Sequence, residues 1–525
     1  MTLDLAVPSQ LLLALTPDLI VAGGAMLLLL FAVWRPEDDA HARHIAIGGM
    51  LVCVAALASI GWMATLGVSA PGGIIAVDNY RWAVDAVVLI GALMTIAVTS
   101  DYHRRTLIIA GESQVLVLLA TSGMMLLAAS SDLMMIFLGV EVMSISAYAL
   151  TAIDRRSARS AEAGLKYFLL GAFSSAFLLY GIALVYGATG TTNLAEMARR
   201  LLEPAAAGSG MLLVGIALLV IGFGFKVAAV PFHMWTPDVY DGAPTPFSGF
   251  MATAVKAAGF AAFLRVFVEG LGVVQPRWHL VLWWLAAITM VAGNLVALAQ
   301  RNVKRMLAYS SIAHAGYLLI AIVVGTEGGA SAMLFYLLAY TLATIGAFAV
   351  VTTMGNPGNE SARMEDYAGL WTVRPRMAMA MAVFMLALLG FPIAGGMGFF
   401  AKWYVLQAAL QAPAPQTRLA ILLVLTSVLS AGYYLYLIMV MFMRSRPADA
   451  APLGPMRPMT SAVIGAAVLV LLAFGVYPTP IVRMARQSTP PMTTTASGAA
   501  LATPSAPATA AIPAVAAAGA AALDH

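Results

Sequence analysis

Charge and cysteine are both scarce in this 525-residue chain. Charged residues make up 10% of it and hydrophobic residues 61%, whereas the apolar share of soluble domains is roughly 45–50%. A single cysteine, Cys53, excludes an intrachain disulfide and any metal or iron–sulfur site built from cysteines. This composition excludes an ordinary soluble domain and predicts an all-α, polytopic integral membrane protein.

Lysine is also rare, with five residues against 23 arginines. Four of the five lie inside long apolar stretches, namely Lys166, Lys226, Lys256 and Lys402. A buried lysine can lose its proton, whereas arginine effectively cannot. Because an ionisable side chain at membrane depth is costly, these four lysines are candidate functional residues.

Apolar stretches of about 20 residues mark the expected membrane spans. We predict fourteen transmembrane helices, at 11–33, 45–67, 82–100, 113–130, 132–152, 165–187, 211–230, 246–268, 279–299, 305–325, 330–354, 377–400, 419–443 and 460–482. Loops after odd-numbered helices hold sixteen Lys and Arg residues and the opposite loops hold eight. This bias predicts that the first set is cytoplasmic and that both termini are external.

Two predicted spans are interrupted by proline and glycine. Pro231 directly follows the seventh span and Pro392 lies in the twelfth, each within ten residues of a lysine. Proline removes a backbone donor, and a broken helix at membrane depth is tolerated only where protein or water satisfies the freed groups. A simple packing kink is the alternative, but two breaks beside lysines favour a functional site.

Weak internal similarity predicts two repeats. The segments 132–141 and 305–314 each place an ionisable residue nine positions after a charged one, at an offset of 173 residues. The two lysines near the breaks differ by a similar offset of 176 residues. We therefore predict a three-helix segment (1–112), two inverted five-helix repeats (113–268 and 279–443) and a last helix (460–482). Beyond it, residues 487–525 carry five prolines between 490 and 513, which predicts a flexible, Ala/Pro-rich external tail.

Glu141 lies in the middle of the fifth predicted span. Desolvation disfavours its charge unless a cation is close, and Lys166 and Lys226 are the candidate partners. A lysine that pairs reversibly with a carboxylate would be a switchable proton site. The alternative is a static ion pair that fixes helix packing.

Lys256 and His314 extend this set of ionisable groups. Histidine titrates near neutral pH and can pass a proton through either ring nitrogen, although His314 taken alone is equally typical of a hydrogen-bonded structural residue. We predict a proton relay of six groups: Glu141, Lys166, Lys226, Lys256, His314 and Lys402. Lys166 lies near the cytoplasmic boundary and is equally consistent with a side chain that reaches the membrane surface. The methionines show no metal-ligand spacing, so no metal site is expected.

Three motifs identify a family. The string Pro-Phe-His-Met-Trp-Thr-Pro-Asp-Val-Tyr-Asp-Gly-Ala-Pro occupies 231–244, Arg-Met-Leu-Ala-Tyr-Ser-Ser-Ile-Ala-His occupies 305–314, and Gly-Phe-Phe-Ala-Lys occupies 398–402. Over about residues 10–482 the chain resembles the antiporter-like membrane subunits of respiratory complex I, the bacterial NADH:quinone oxidoreductase. Lysine at 256 and the absence of a long lateral helix after the last span favour the subunit N branch. Asp241 stands where Glu is common, and the segment 233–246 is expected to be a polar loop that caps the first broken helix.

The resemblance implies a role in proton translocation. The chain would move protons through its buried groups, while NADH, flavin, iron–sulfur clusters and quinone would be bound by partner subunits and no cofactor by this chain. Its partners would be the other membrane-arm and redox subunits, in the bacterial inner membrane. Two alternatives stay open at this point, a subunit of an Mrp-type sodium/proton antiporter and a non-transporting scaffold. Four lysines at membrane depth argue against a scaffold, for which arginine would serve equally well.

Deletion of residues 487–525 is expected to leave assembly and activity largely intact, because this segment is too rich in proline and small residues to form a core. Native gels of the truncated protein provide the measurement. Loss of the assembled complex would show instead that the tail is a docking element.

Overall fold

The computed structural model describes residues 2–34, 38–70, 73–106, 110–356, 359–360, 362–448, 453–454 and 456–490. The fold is almost wholly helical. The first half of the chain forms α1 (Pro8–Ala14), α2 (Thr16–Val33), α3 (Asp39–Leu66), α4 (Asn79–Thr106), α5 (Ala110–Ala129), α6 (Leu133–Thr151), α7 (Ala158–Thr189), α8 (Leu194–Arg200), α9 (Pro204–Gly208), α10 (Gly210–Val227) and α11 (Thr236–Gly242).

The second half forms α12 (Thr245–Phe250), α13 (Lys256–Leu264), α14 (Gln275–Leu298), α15 (Val303–Val324), α16 (Glu327–Val351), α17 (Leu370–Val373), α18 (Pro375–Leu389), α19 (Met397–Gln411), α20 (Thr417–Met443), α21 (Pro458–Val476) and α22 (Thr479–Gln487). Two π-helical turns (Met251–Val255 and Arg265–Gly270), two 3₁₀ turns (Gly272–Val274 and Met364–Tyr367) and a two-residue hairpin (Gly355–Asn356 with Asn359–Glu360) complete the elements.

Thirteen helices in the described part of the chain are long and apolar enough to cross a membrane. One of them runs continuously from Thr245 to Gly270, because α12, α13 and the π-helical turns form a single span. The predicted twelfth span, 377–400, instead consists of α18 and α19 with a break between them. Together these make the fourteen predicted spans, and the all-α membrane fold is confirmed.

Polar residues start the helices that carry the site. The Asp132 carboxylate accepts a hydrogen bond from the Met134 backbone N–H at 2.8 Å and caps α6, and Asn302 caps α15 by accepting from the Arg305 N–H at 3.1 Å. Thr326 caps α16 in the same way. Such caps satisfy amide groups that have no partner within the helix. They fix where each helix begins, and therefore which residues face the centre of the bundle.

The helices differ strongly in their burial. In α15, α16 and the span from Thr245 to Gly270 nearly every residue is buried, whereas α2, α20 and α21 expose most of their apolar side chains. The exposed side chains are those expected to face lipid. Ionisable residues on the central helices are therefore shielded from both water and lipid.

Both predicted helix breaks are present. After α10, Ala228 adopts a positive φ of 60°, and its neighbour Ala229 donates its N–H to the Gly224 carbonyl at 2.8 Å. After α18, Gly390 has a φ of 76° and ends the helix in the left-handed conformation that glycine tolerates best. Pro231 and Pro392 lie in the two breaks, as predicted.

Three expectations need correction. The segment 233–246 is not simply a loop, because it contains α11, the second half of the first broken helix. It does cap the first half, since the Trp235 indole N–H donates to the Phe225 carbonyl at 3.1 Å. Arg81, Arg265 and Lys304, which the sequence places at the ends of predicted spans and which count among the charges that set the predicted topology, are all buried. Each is held by polar partners that a single sequence does not reveal.

The division into repeats stays a prediction, as do the boundaries at 112, 268, 279 and 443. The last described helix, α22, lies at Thr479–Gln487, and the Asn79 side chain donates to the Gln487 carbonyl at 3.2 Å. Most of the predicted tail, residues 491–525, falls outside the described residues.

At the second break, the backbones of α18 and α19 pack too closely to admit a side chain at Gly398. A Cβ atom there would lie 1.9 Å from the Ala387 carbonyl oxygen, so the Gly398→Ala variant must shift the backbone of α18. We expect a loss of about 1–3 kcal/mol of stability, measured by thermal unfolding in detergent. Gly465→Ala is the matched control, since no atom lies within 4 Å of its Cβ position. Equal melting temperatures for the two variants would contradict this packing argument.

Candidate functional site

Lys226 occupies the last turn of α10, immediately before the first break. A cation is favoured at this position because the last carbonyl groups of a helix carry partial negative charge. The side chain is only 3% exposed, and its Nζ donates a hydrogen bond to the Ser144 hydroxyl at 2.7 Å. Ser144 in turn donates to the Val140 carbonyl within α6.

Glu141 lies one turn before Ser144 on the same helix. Its Oε1 atom is buried and accepts no hydrogen bond from any described residue. No direct ion pair within 4.0 Å joins Glu141 to Lys226 among the described residues; Lys226 instead contacts Ser144, three residues after Glu141 on α6. The expected pair is therefore not closed in this structure.

Lys256 follows a π-helical turn, Met251–Val255, in the most buried span of the bundle. Such turns interrupt the regular helix and are frequent at functional sites. The Lys256 Nζ donates to the Ser311 carbonyl at 2.7 Å and to the Ser311 hydroxyl at 2.5 Å. Both acceptors are neutral and both belong to α15.

His314 lies one turn further along α15 and is 3% exposed. Its Nδ1 lies 2.6 Å from the Tyr336 hydroxyl and its Nε2 lies 3.1 Å from the Tyr434 hydroxyl. A neutral imidazole donates from one nitrogen and accepts at the other, and a tyrosine hydroxyl can take either role. The Tyr434 hydroxyl also contacts Ser310, so the ring is held at both ends by groups that can exchange donor and acceptor roles.

Lys402 lies one turn into α19, after the second break. Its Nζ donates to the Leu389 carbonyl at 2.9 Å, at the free end of α18, and lies 4.8 Å from the centre of the Tyr317 ring. A cavity of about 10 Å³ separates Lys402 from His314 and is also lined by Tyr340. This volume holds about one water molecule.

The structure thus divides five of the predicted relay residues into two groups. Lys226 contacts Ser144, one turn after the half-buried Glu141 on α6, while Lys256, His314 and Lys402 are joined through α15. We call these five residues the buried charge row. The two groups are adjacent, because Gly259 in the Lys256 helix packs against Lys226: a Cβ atom added to Gly259 would lie 3.7 Å from the Lys226 Cβ.

Lys166 is not part of this row. Its side chain is 43% exposed, and its Nζ is bound by Glu162 at 2.7 Å and by Asp238 at 3.0 Å. The predicted partnership with Glu141 is therefore not formed, and Lys166 lies at the end of the bundle where α7 begins. Of the two interpretations of Lys166, the geometry fits the side chain that reaches the membrane surface.

A charge network around α11 was missed at the sequence level. Arg305 in α15 contacts the Asp238 carboxylate at 2.8 Å, and Arg159 in α7 contacts Asp241 at 2.5 Å. Asn302 also donates to Asp241, at 2.9 Å. The two acidic residues in the 231–244 string were the available signal. They fasten the short helix α11 to both α7 and α15.

Asp238 is the centre of this network because it binds both Lys166 and Arg305. Burial opposes its ionisation, but hydrogen bonds from Arg305 and Lys166 outweigh that effect and lower the pKa of the Asp238 carboxyl. A cavity of about 100 Å³ beside these residues is open to solvent. The network is therefore a hydrated structural ion cluster, unlike the buried charge row.

Comparison with known proteins adds independent information. Residues 130–430 match the profile of the family described as NADH:quinone oxidoreductase/Mrp antiporter, TM. The chain is 50% identical to the NADH-quinone oxidoreductase subunit N of Gemmatimonas aurantiaca, over 93% of this chain and 96% of that protein.

Solved structures show the same similarity. A chain of respiratory complex I from Thermus thermophilus, with bound aureothin, is 38% identical with a TM-score of 0.76, over 90% of this chain and 99% of that one. A chain of the Mrp complex from Dietzia superimposes with a TM-score of 0.77 at 22% identity, over 91% of this chain and 97% of that one, which shows a shared fold.

Asp238→Asn removes the carboxylate that Lys166 and Arg305 share. Because 41% of the Asp238 side chain is exposed, water screens both pairs, and we expect a loss of only about 1 kcal/mol or less. A carboxyl whose pKa is lowered by folding stabilises the protein above its unfolded pKa. The advantage of the wild type should therefore be full at neutral pH, begin to fall near the unfolded pKa of about 3.9 and be lost as the pH falls through the lower folded-state pKa.

Thermal unfolding of both proteins at neutral and at acidic pH measures this effect. Glu162→Gln is the control, since Glu162 contacts only Lys166 within the network and is 64% exposed. A melting difference that does not change with pH would show that the Asp238 charge has no part in it.

Proposed function

The chain belongs to the subunit N family of NADH-quinone oxidoreductases, and on this premise we propose that it translocates protons through the buried charge row. In this proposal the chain is a membrane-arm subunit. Electron transfer from NADH to quinone takes place in partner redox subunits, which hold the NADH, flavin, iron–sulfur and quinone sites. The chain itself contributes proton transfer and no redox chemistry.

One observation carries the proposal. Lys256 and Lys402 are 2% and 7% exposed, yet within the described part of the chain neither has a carboxylate partner. Their acceptors are a serine, backbone carbonyls and an aromatic ring. A buried ammonium without a counter-ion is costly, and loss of its proton removes the cost. Lysines in this setting are suited to give up and regain protons.

The geometry suggests a route for each transfer. Ser144 accepts from Lys226 and lies one turn after Glu141, so a rotation of its hydroxyl away from the Val140 carbonyl towards Glu141 would open a path between the two charged groups. On α15, Ser311 contacts Lys256, and His314 lies one turn away. From His314, a water in the 10 Å³ cavity would reach Lys402. Histidine suits the centre of this route because both of its nitrogens are hydrogen-bonded.

The direction of transfer follows from the proposed topology. The distribution of Lys and Arg favours cytoplasmic loops after odd-numbered spans, with both termini external, in the bacterial inner membrane. Burial removes Arg81 and Arg265 from the external set of eight and Lys304 from the cytoplasmic set of sixteen, so the bias keeps the same direction. On this topology α11 and its charge network face the cytoplasm.

Two other functions fit the observations less well. The fold is shared with a chain of an Mrp complex, but at 22% identity this similarity concerns the fold alone, and 50% identity to a subunit N favours the oxidoreductase. In a scaffold, buried lysines would be expected to pair with carboxylates. The neutral acceptors of Lys256 and Lys402 argue against that function.

Replacing Lys226 or Lys402 with Arg tests the proposal. Arginine keeps the positive charge but does not deprotonate at any accessible pH, so proton transfer should stall while an ion-pair scaffold would survive. We expect NADH-driven proton uptake by inverted membrane vesicles to fall about a hundredfold or more, the range attributed to single proton-transfer groups. Native gels would establish that the complex is still assembled.

Lys304→Arg is the matched control. Lys304 is also buried, at 5% exposure, and donates to the Ala243 carbonyl, but it lies in the first turn of α15, beside the charge network around α11 and outside the buried charge row. Transport close to wild type is expected in this variant, which shows that a buried arginine as such is tolerated. Wild-type uptake in both Lys226→Arg and Lys402→Arg would refute proton exchange at these lysines.

A further inference from the structure

A second buried charge cluster lies where α2 and α4 begin and the Lys256 helix ends. It contains two arginines and four carboxylates, namely Arg81, Arg265, Asp18, Asp78, Asp85 and Glu269. None of these residues belongs to the buried charge row. Both guanidinium groups are withdrawn from solvent, although Asp78 remains 27% exposed at the edge of the cluster.

The Arg265 half of the cluster is fully paired. Its guanidinium donates to both oxygens of Asp78, at 2.8 and 2.9 Å, and to Glu269 at 3.1 Å. Its Nε donates to the Ala128 carbonyl at 3.2 Å. Burial would raise the pKa of the Asp78 carboxyl, but the Arg265 charge and its hydrogen bonds outweigh burial and lower it. Asp78 therefore serves as an ionised partner of Arg265.

The Arg81 half is different, because one guanidinium faces two carboxylates. Arg81 is hydrogen-bonded to Asp18 and to the Ala76 carbonyl. Its Nε lies 3.5 Å from Asp85, beyond a normal N–H···O hydrogen bond. Asp85 is 0% exposed, and neither of its carboxylate oxygens accepts a hydrogen bond from any described residue.

The charge balance points to the same residue. Two guanidinium groups face four carboxylates, so full ionisation would bury an excess of two negative charges. Two carboxylates that share one cation resist joint ionisation, and an ionised carboxylate without donors is the costliest form in an apolar interior. Protonation of one carboxyl relieves both penalties. Asp78, Glu269 and Asp18 have guanidinium donors, whereas Asp85 has none.

We propose that Asp85 is a second proton-binding site of this protein, occupied at neutral pH and controlled by Arg81. The charged groups that face it are Arg81 on its own helix, Asp18 from α2, and Arg265 with its partners Asp78 and Glu269 beside the Lys256 helix. When Asp85 is protonated, Arg81 pairs with Asp18 alone. When Asp85 loses its proton, the carboxylates of Asp85 and Asp18 compete for the Arg81 guanidinium.

The cluster is attached to the helix that carries Lys256. The Tyr80 hydroxyl, next to Arg81 in α4, donates to the Ala261 carbonyl of that helix at 3.0 Å. Arg265 lies nine residues after Lys256 in the same span. On the topology of the proposed function, Asp85 therefore lies towards the external side, where transported protons leave. Only this assignment of the side rests on the proposed function; the proton-binding site itself does not.

Infrared difference spectroscopy of the intact complex, titrated with acid and base, tests the proposal. The carbonyl stretch of a protonated carboxyl should be present at neutral pH and should disappear in Asp85→Asn. Assembly should be unchanged, because an amide replaces a neutral carboxyl of nearly the same shape. The matched control is Asp101→Asn, on the same helix: Asp101 is also buried but accepts hydrogen bonds from Thr460, at 2.8 and 3.0 Å, so its removal should leave the band.

A band that persists in Asp85→Asn would overturn the assignment. Loss of the assembled complex in Asp85→Asn would also overturn it, because an amide cannot replace an ionised partner of Arg81. Neither outcome depends on transport, so a failure here is distinguishable from a failure of the lysine relay, which is measured by proton uptake.

Discussion

An ammonium group buried in a membrane needs hydrogen-bond acceptors, and the described part of this fold supplies neutral acceptors to its buried lysines, with no carboxylate in direct contact with Lys226, Lys256 or Lys402. Ser144 accepts from Lys226, Ser311 accepts from Lys256, and the Leu389 carbonyl accepts from Lys402. The last of these acceptors exists only because α18 ends inside the bundle. A continuous helix would have used that carbonyl itself. The break after α18 therefore supplies the acceptor that the buried Lys402 ammonium needs.

The central helix α15 connects the second group of the buried charge row. Successive turns present Ser311, His314 and Tyr317 towards Lys256, the tyrosine hydroxyls and Lys402. Because α15 is enclosed by neighbouring helices along nearly its whole length, these contacts are shielded from water. Low polarity strengthens each hydrogen bond and raises the cost of each unpaired charge. Protonation of one of these side chains therefore changes the electrostatic environment of the next.

Three kinds of ionic site coexist in this bundle, and their partners distinguish them. Around α11, each carboxylate meets a cation at a hydrated edge, as in Arg305 with Asp238, which suits a structural role. Along the buried charge row, cations have neutral acceptors, which suits proton exchange. Near Arg81, carboxylates outnumber cations, and no described residue donates a hydrogen bond to Asp85. Burial and pairing, rather than residue type, therefore distinguish the three kinds of ionic site.

The sequence by itself determined the membrane spans, both helix breaks and the family, because these depend on hydropathy, proline and glycine positions and a specific motif that are all local. It also placed Glu141, Lys226, Lys256, His314 and Lys402 in apolar runs, since an ionisable residue in such a run is visible without a fold; their part in a proton relay stays a prediction. Only the tertiary structure decided which of these groups meet. It placed Lys166 at an exposed edge with Asp238.

The same limit explains the buried arginines. Arg81 and Arg265 look like loop residues in the sequence, because their partners come from elements distant along the chain, such as Asp18 and Asp78. A hydropathy pattern reports the average environment of a segment, whereas the burial and pairing of a single charge depend on which helices pack against it. The membrane spans and the family motifs could therefore be predicted from the sequence, whereas the pairing of charges depends on how the helices pack.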